Sequence, residues 1–210
     1  YFARHRPRTC GRPASDILGD NDQVIWMSIL QHTDTSAEQR EMFIQASRAQ
    51  RRLQTRDKEA WKQEDLKRDQ ERAKYLEKEE FQKMVNQEQF ILSISDDGRG
   101  QLSSAYEYRP AKRGGKGVTN MDIGKGSTAR IVAAFSVEDN DQIMLVTDAG
   151  KLIRCPLDDI GIKGRGSQGV SVFKVDDEEK VVSVARLSDV GETEGASEDG
   201  TVNSQDNVEK

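Results

Sequence analysis

Two kinds of hydrophobic spacing divide the chain. Period two marks residues 89–187. FILSIS, residues 90–95, is short and β-prone, and it runs into Asp96-Asp97-Gly98. That combination predicts a strand ending in a tight turn. QIMLVTDAG, residues 142–150, repeats the form. Earlier, Gly19-Asp20-Asn21-Asp22 is turn chemistry, and Val24, Ile25, Trp26, Met27 and Ile29 after it read as a buried strand.

Residues 34–88 lack Gly and Pro and are built from Glu, Lys, Arg, Gln and Ala, all good helix formers. Met42, Ala46, Ala49 and Leu53 step by helical spacing and form one apolar stripe. Thr35 or Ser36 caps the start, and Glu38 in the first turn suits the helix dipole. Thr55 and Asp57 interrupt the pattern and predict two helices. The second has only a sparse seam of Trp61, Leu66, Tyr75, Leu76 and Phe81, so the segment reads as a solvated helical insertion. A partner-docking coiled coil is the alternative, and the sparse seam weakens it. Residues 188–210 carry almost no apolar side chains and are expected to be disordered.

The two β-prone stretches belong to a repeat. At a fixed offset of 52, Ile91 meets Ile143, Asp96 meets Asp148, Gly98 meets Gly150, Arg113 meets Arg165, Gly117 meets Gly169 and Val118 meets Val170. After a slip of two residues, Arg130-Ile131-Val132 meets Lys180-Val181-Val182. DQVIWMSIL at 22–30 aligns with EKVVSVARL at 179–187, about three periods on. Short strands and Gly turns repeating near 50 residues are the mark of propeller-like blades, which bury their apolar faces only by stacking. The expected fold is therefore mainly β, with partial propeller-like blades interrupted by a charged helical insertion. The expected divisions are the end of a preceding, degenerate blade at 1–33, the insertion at 34–88, blades at 89–140 and 141–187, and the tail at 188–210. Two and a part blades do not close a ring. With Tyr1 in place of Met, the chain reads as a piece of something longer.

Composition sharpens this picture. Charged residues are 33% of the 210-residue chain and hydrophobic ones 34%, which is too polar for one compact globule. The net charge of −5 is unevenly spread. Residues 34–88 hold thirteen acids and thirteen bases, 89–187 fourteen of each, and the tail seven acids to one base. The acidic balance thus describes the tail and leaves the β units free to bind an anion. No apolar stretch nears the ~20 residues of a membrane span. Cys10 and Cys155 share no pairing or metal spacing, which fits a reducing compartment, and His5 and His32 have no companion ligands.

The candidate chemistry sits in KRGGKGV, residues 112–118. Gly114, Gly115 and Gly117 allow tight turns and close approach of the backbone. Lys112, Arg113 and Lys116 add cations, so the loop suits a phosphate. Its echo, one repeat on, carries Lys163, Arg165, Gly166 and Gly169. Arg109, Lys125 and Arg130 extend the basic path. The acids at 139–141 and 176–179 fall in other turns and are expected to face away from it.

These strings, together with SSAYEY at 103–108 and VEDNDQIMLVTDAGKLIRCPLDDI at 137–160, closely resemble the C-terminal domain of bacterial DNA gyrase A. The resemblance covers residues 89–187 well and 19–32 in part. It implies a β-pinwheel that binds and wraps duplex DNA around a basic rim. It further implies a type II topoisomerase heterotetramer with the rest of gyrase A and with gyrase B, ATP and Mg on gyrase B, and a cytoplasmic, nucleoid-associated place without membrane. The family's box motif, Gln-Arg-Arg-Gly-Gly-Lys-Gly, falls on residues 111–117. Arg113, Gly114, Gly115, Lys116 and Gly117 match, Lys112 stands for the first Arg, and Ala111 replaces Gln. The loop so resembles a later copy of the box. At residues 1–16, Thr9, Cys10 and Pro13 break the pattern.

The family cleaves DNA with a tyrosine in a winged-helix context. Tyr1, Tyr75, Tyr106 and Tyr108 lie in no such context, so no catalytic residue and no metal ligand is assigned. Tyr106 and Tyr108 read as strand residues. The acidic tail is expected to compete with DNA for the basic strip. Two further readings remain at this level: the related C-terminal domain of topoisomerase IV, whose box is degraded, and a protein-interaction propeller whose Gly loops are only turns.

Overall fold

The computed structural model describes residues 18, 22–54, 63–109, 117–176 and 178–188. The expectations for residues 1–16, for the turn at 19–21, for the helix break at Thr55 and Asp57, for Trp61, for Lys112, Arg113, Gly114, Gly115 and Lys116, and for the tail beyond Ser188 lie outside them.

Among the described residues, seven strands form two antiparallel sheets. Strands β1 (Phe90–Ser95), β2 (Arg99–Ser104), β3 (Ile131–Val137) and β6 (Val170–Ser171) form the first, in the order β3-β1-β2-β6. Strands β4 (Gln142–Thr147), β5 (Leu152–Pro156) and β7 (Val181–Leu187) form the second, in the order β5-β4-β7. The sequence repeat is a structural repeat. Strand β1 slips by one residue against β3 between Ile94 and Ser95, and β4 slips against β7 between Val146 and Thr147. Behind each slip an Asp closes the corner. The Asp96 amide donates to Arg130 O (2.9 Å) and the Asp148 amide to Lys180 O (3.0 Å). Their carboxylates accept the Arg130 and Lys180 amides in return, at 2.8 and 3.0 Å.

Both faces of β1 are buried, and they differ in chemistry. Leu92 and Ile94 share a face with Leu102 and Phe135. Together with Ile143, Leu145, Val181 and Val184 of the second sheet they form one apolar core. Each such side chain contributes about 1.5–3 kcal/mol by leaving water. Ile91, Ser93, Gln101 and Ser103 occupy the opposite face, all essentially without solvent exposure. There the strands carry hydroxyls and an amide that need partners. The fold is mainly β, as the repeat predicts.

The helices form a second, smaller core. Ser36 caps α1 (Ala37–Gln54), and its hydroxyl accepts the Gln39 amide (3.1 Å) while the Gln39 side chain accepts the Ser36 amide (2.9 Å). This is a reciprocal capping box. The buried residues of α1 are Phe43, Ala46, Ser47 and Ala49, whereas Met42 of the expected stripe is 40% exposed. The stripe is offset because α1 packs on two sides. One side meets α2 (Gln63–Ala73), where Arg52 grips the buried Asp69 carboxylate with two hydrogen bonds of 2.7 Å. The other meets Leu76, Phe81 and Met84 of the following 3-10 turn and α3 (Glu79–Asn86), and Tyr106 of the first β unit. Phe43 stands edge-on to Tyr106, with ring centroids 5.1 Å apart.

Two strand expectations fail. Residues 22–36 form neither helix nor strand, and Val24, Met27 and Ile29 are 61%, 88% and 93% exposed. The segment instead lies across the first unit. Trp26 stacks tilted on Phe135 at 5.1 Å, and the Gln31 amide donates to Gln89 Oε1 (2.7 Å). Its counterpart β7 is a strand because β4 supplies a ladder along its length. Tyr106 and Tyr108 are not strand residues either. They fall at the 3-10 turn Ala105–Glu107 just past β2, where both rings turn inward and are buried.

Candidate nucleic-acid interface

The second glycine loop leaves its own sheet and joins the first. After β5 and the 3-10 turn Leu157–Asp159, the chain runs alongside β2. The Leu102 amide donates to Gly161 O (3.3 Å) and the Lys163 amide to Leu102 O (2.7 Å). The loop then ends in β6, whose Val170 and Ser171 pair with Gly100 and Arg99. Gly169 is required at this junction. Its φ is +66°, and a Cβ there would sit 2.5 Å from Gly100 O. Gly117, its equivalent one repeat earlier, has φ +75°, and Gly166 has φ +82°.

The chain that leaves the first glycine loop lies against the second loop. The Gly166 amide donates to Asn120 O (3.2 Å) and the Asp122 amide to Ser167 O (3.0 Å). Arg165 Nη1 donates to Thr119 O (2.9 Å), and its Nε donates to Glu107 O (3.2 Å). Two of the five guanidinium N–H groups are thereby committed to carbonyls. Arg165 is half-buried, while Lys163 and Arg109 are exposed. The structure thus brings Arg165, Gly166, Gly169 and the residues just after Gly117 into one region beside β2.

A buried polar network underlies this meeting point. The Tyr108 phenol hydrogen-bonds with Ser103 Oγ (2.7 Å) and donates to Asn120 Oδ1. Asn120 Nδ2 donates to Ser93 Oγ (2.7 Å), and Asn120 O accepts from Gln101 Nε2 (3.0 Å). Ser167 Oγ donates to Gln101 Oε1, which carries the network into the second loop. Burial pushes the Tyr108 phenol up to about 12, and the Ser103 hydroxyl opposes that shift. Asn120, Gln101 and Glu107 belong to no candidate-site motif of the sequence. Polar residues within otherwise β-prone strands, SIS at 93–95 and QLSS at 101–104, were the available signal.

Two of the described acids at 139–141 and 176–179 are buried. Asp141 is buried and holds Arg186 Nε at 2.5 Å. Glu179 is buried too. It accepts from Lys151 Nζ (2.6 Å) and Thr147 Oγ1 (2.5 Å), which hold its carboxyl below the usual range. Both acids brace the second unit. Among the described residues no group of His, Cys, Asp and Glu is placed to hold a metal, and no helix is long and apolar enough to cross a membrane.

Residues 89–138 and 141–188 match the family model of the DNA gyrase C-terminal domain, a β-propeller. The DNA gyrase A protein of Rickettsia prowazekii is 39% identical over 181 residues, covering 86% of this chain and 19% of that protein. The DNA gyrase A protein of Granulibacter bethesdensis is 34% identical over 198 residues, covering 90% and 21%. The chain therefore spans about a fifth of the length of the curated relatives it matches. A solved structure of the DNA gyrase A C-terminal domain aligns at 26% identity over 49% of this chain and 35% of that one, with a TM-score of 0.44. With its two repeated β units each matched by that family model, the chain belongs to the DNA gyrase C-terminal β-propeller family.

Proposed function

We propose that this chain binds and wraps duplex DNA through sequence-independent phosphate contacts, as part of a DNA gyrase A protein. The observation that supports the reading is the apposition of residues 119–122, which follow the first basic glycine loop in sequence, with residues 165–168 of the second. Lys112, Arg113 and Lys116 form the first set of contacts. Lys163 and the outer N–H groups of Arg165 form the second, and Arg109 lies just before the first set in sequence. Bending 20–30 bp along such a strip costs of order 1–6 kcal/mol. Counterion release from the neutralised phosphates offsets that cost. In this reading the wrapped DNA supports ATP-dependent negative supercoiling by a cytoplasmic, nucleoid-associated heterotetramer with gyrase B, where ATP and Mg reside.

The test is DNA binding across salt concentrations. Replacing Lys112, Arg113 and Lys116 together by Ala should weaken binding to all sequences alike and lower the log–log salt slope by roughly 2.7, about 0.9 per lost contact. Unchanged affinity at low salt would make the loop a mere turn.

A further inference from the structure

The helical layer touches the second glycine loop through one arginine. Arg48, on α1, reaches out of the helical core, and its Nη2 lies 2.9 Å from Glu107 Oε2. The same carboxylate oxygen accepts the backbone amide of Arg165 at 2.7 Å. Glu107 is only 8% exposed and Arg48 44%, so one partner of the pair is desolvated and the other is not. Gly164 lies directly under the guanidinium. A Cβ built there would come within 2.5 Å of Arg48 Nη2 and 3.0 Å of Cζ. Glu107 also holds Arg165 through its own carbonyl, which accepts from Arg165 Nε. One residue of the first unit therefore fixes both the backbone and the side chain of Arg165, and an arginine from the helices neutralises it. A buried carboxylate held this way loses its hold if one partner leaves, because the remaining charge seeks water.

We propose that Arg48 is a positioning residue for the second basic loop: the helical layer, through Glu107, fixes the loop backbone and aims Arg165 toward DNA. The DNA half of this inference rests on the function proposed above. The mechanical half does not. Arg48 neutralises Glu107, so that Glu107 can hold the Arg165 amide without presenting an anion to the basic strip. This assigns the helices a task that their sparse apolar seam does not suggest: they brace one loop of the β unit beside them.

Four forms of the full chain test the idea: the unaltered protein, Arg48→Ala, Arg48→Lys and Gly164→Ala. Amide exchange at Arg165 and Gly166 reports the loop, and exchange at Ile143 and Leu145 reports the second sheet. With Arg48→Ala, loop exchange should accelerate about tenfold with the sheet unchanged, since one charge-assisted bond is lost locally. DNA affinity should fall severalfold, and Arg48→Lys should restore most of both. Gly164→Ala keeps the charge but displaces the guanidinium, and it should reproduce part of the Arg48→Ala effect. If Gly164→Ala behaves like the unaltered chain, or if loop exchange ignores Arg48→Ala, positioning is refuted. Faster loop exchange with unchanged DNA affinity refutes the aiming of Arg165. If the unaltered chain binds no DNA, the function proposed above fails, and the exchange data alone decide the role of Arg48.

Discussion

Replacing Asn120 by Ala tests the meeting point of the two units most directly. Asn120 is 9% exposed, and its side chain both accepts from the Tyr108 phenol and donates to Ser93 Oγ. Truncation removes both bonds and leaves a buried phenol and a buried hydroxyl short of one partner each. Tyr108 keeps Ser103, and Ser93 can rotate, so neither loss is complete. At about 1–3 kcal/mol for each group left wanting, with partial compensation, the cost is roughly 2–4 kcal/mol. For a chain of this size that lowers Tm by roughly 5–15 °C. A second signal comes from the phenol itself. Burial is the chief reason that Tyr108 is pushed up to about 12. Opening the site to water should draw its titration, followed by ultraviolet difference absorption, back toward the ordinary tyrosine range of about 10. The folded chain holds this proton more tightly than the unfolded chain, so the linked stability is present below about pH 10 and is lost as pH rises toward about 12. Asn120→Ala should flatten that alkaline loss. A change in Tm below about 2 °C with an unmoved Tyr108 titration would refute the idea that this network joins the loops.

Gly169→Ala places a Cβ at positive φ and 2.5 Å from a backbone oxygen. It should cost about 2–4 kcal/mol, measured by denaturant titration, because β6 must shift from β2. Glu179 is held below the usual carboxylate range by Lys151 and then Thr147, so its contribution is present above the unfolded pKa and disappears as pH falls through the folded one. Glu179→Gln should therefore destabilise the chain at neutral pH and remove part of its acid sensitivity. Equal acid profiles for the two proteins, followed by circular dichroism, would contradict this.

How legible the molecule is from its sequence depends on how far apart the interacting residues are. The β units show at a 52-residue offset because Gly98 and Gly150, or Asp96 and Asp148, do the same local job in each. Ser36 is visible as a cap because its partner is three residues away. Residues 22–36 misled because β-prone composition indicates a pleated surface and says nothing of whether a ladder is present. The stripe on α1 was offset because one helical period cannot reveal that a helix has two neighbours. Glu107, 58 residues from Arg165, and Asn120, 46 from Gly166, carry no local signature at all. Arg165 was legible as a loop cation. Its use as a tie to Thr119 and Glu107 depends on the second unit reaching back over the first.

That reach has a consequence for how the chain is made. Strand β6 belongs in sequence to the second unit but completes the sheet of the first. As the chain emerges from a ribosome, β1, β2 and β3 are out by Val137, yet the outer edge of β2 is covered only as residues 161–171 follow. The first unit therefore cannot finish folding before most of the second has been synthesised. An exposed strand edge is a template for foreign pairing. A chain halted with Val137 out and residues 161–171 still to come therefore exposes that edge.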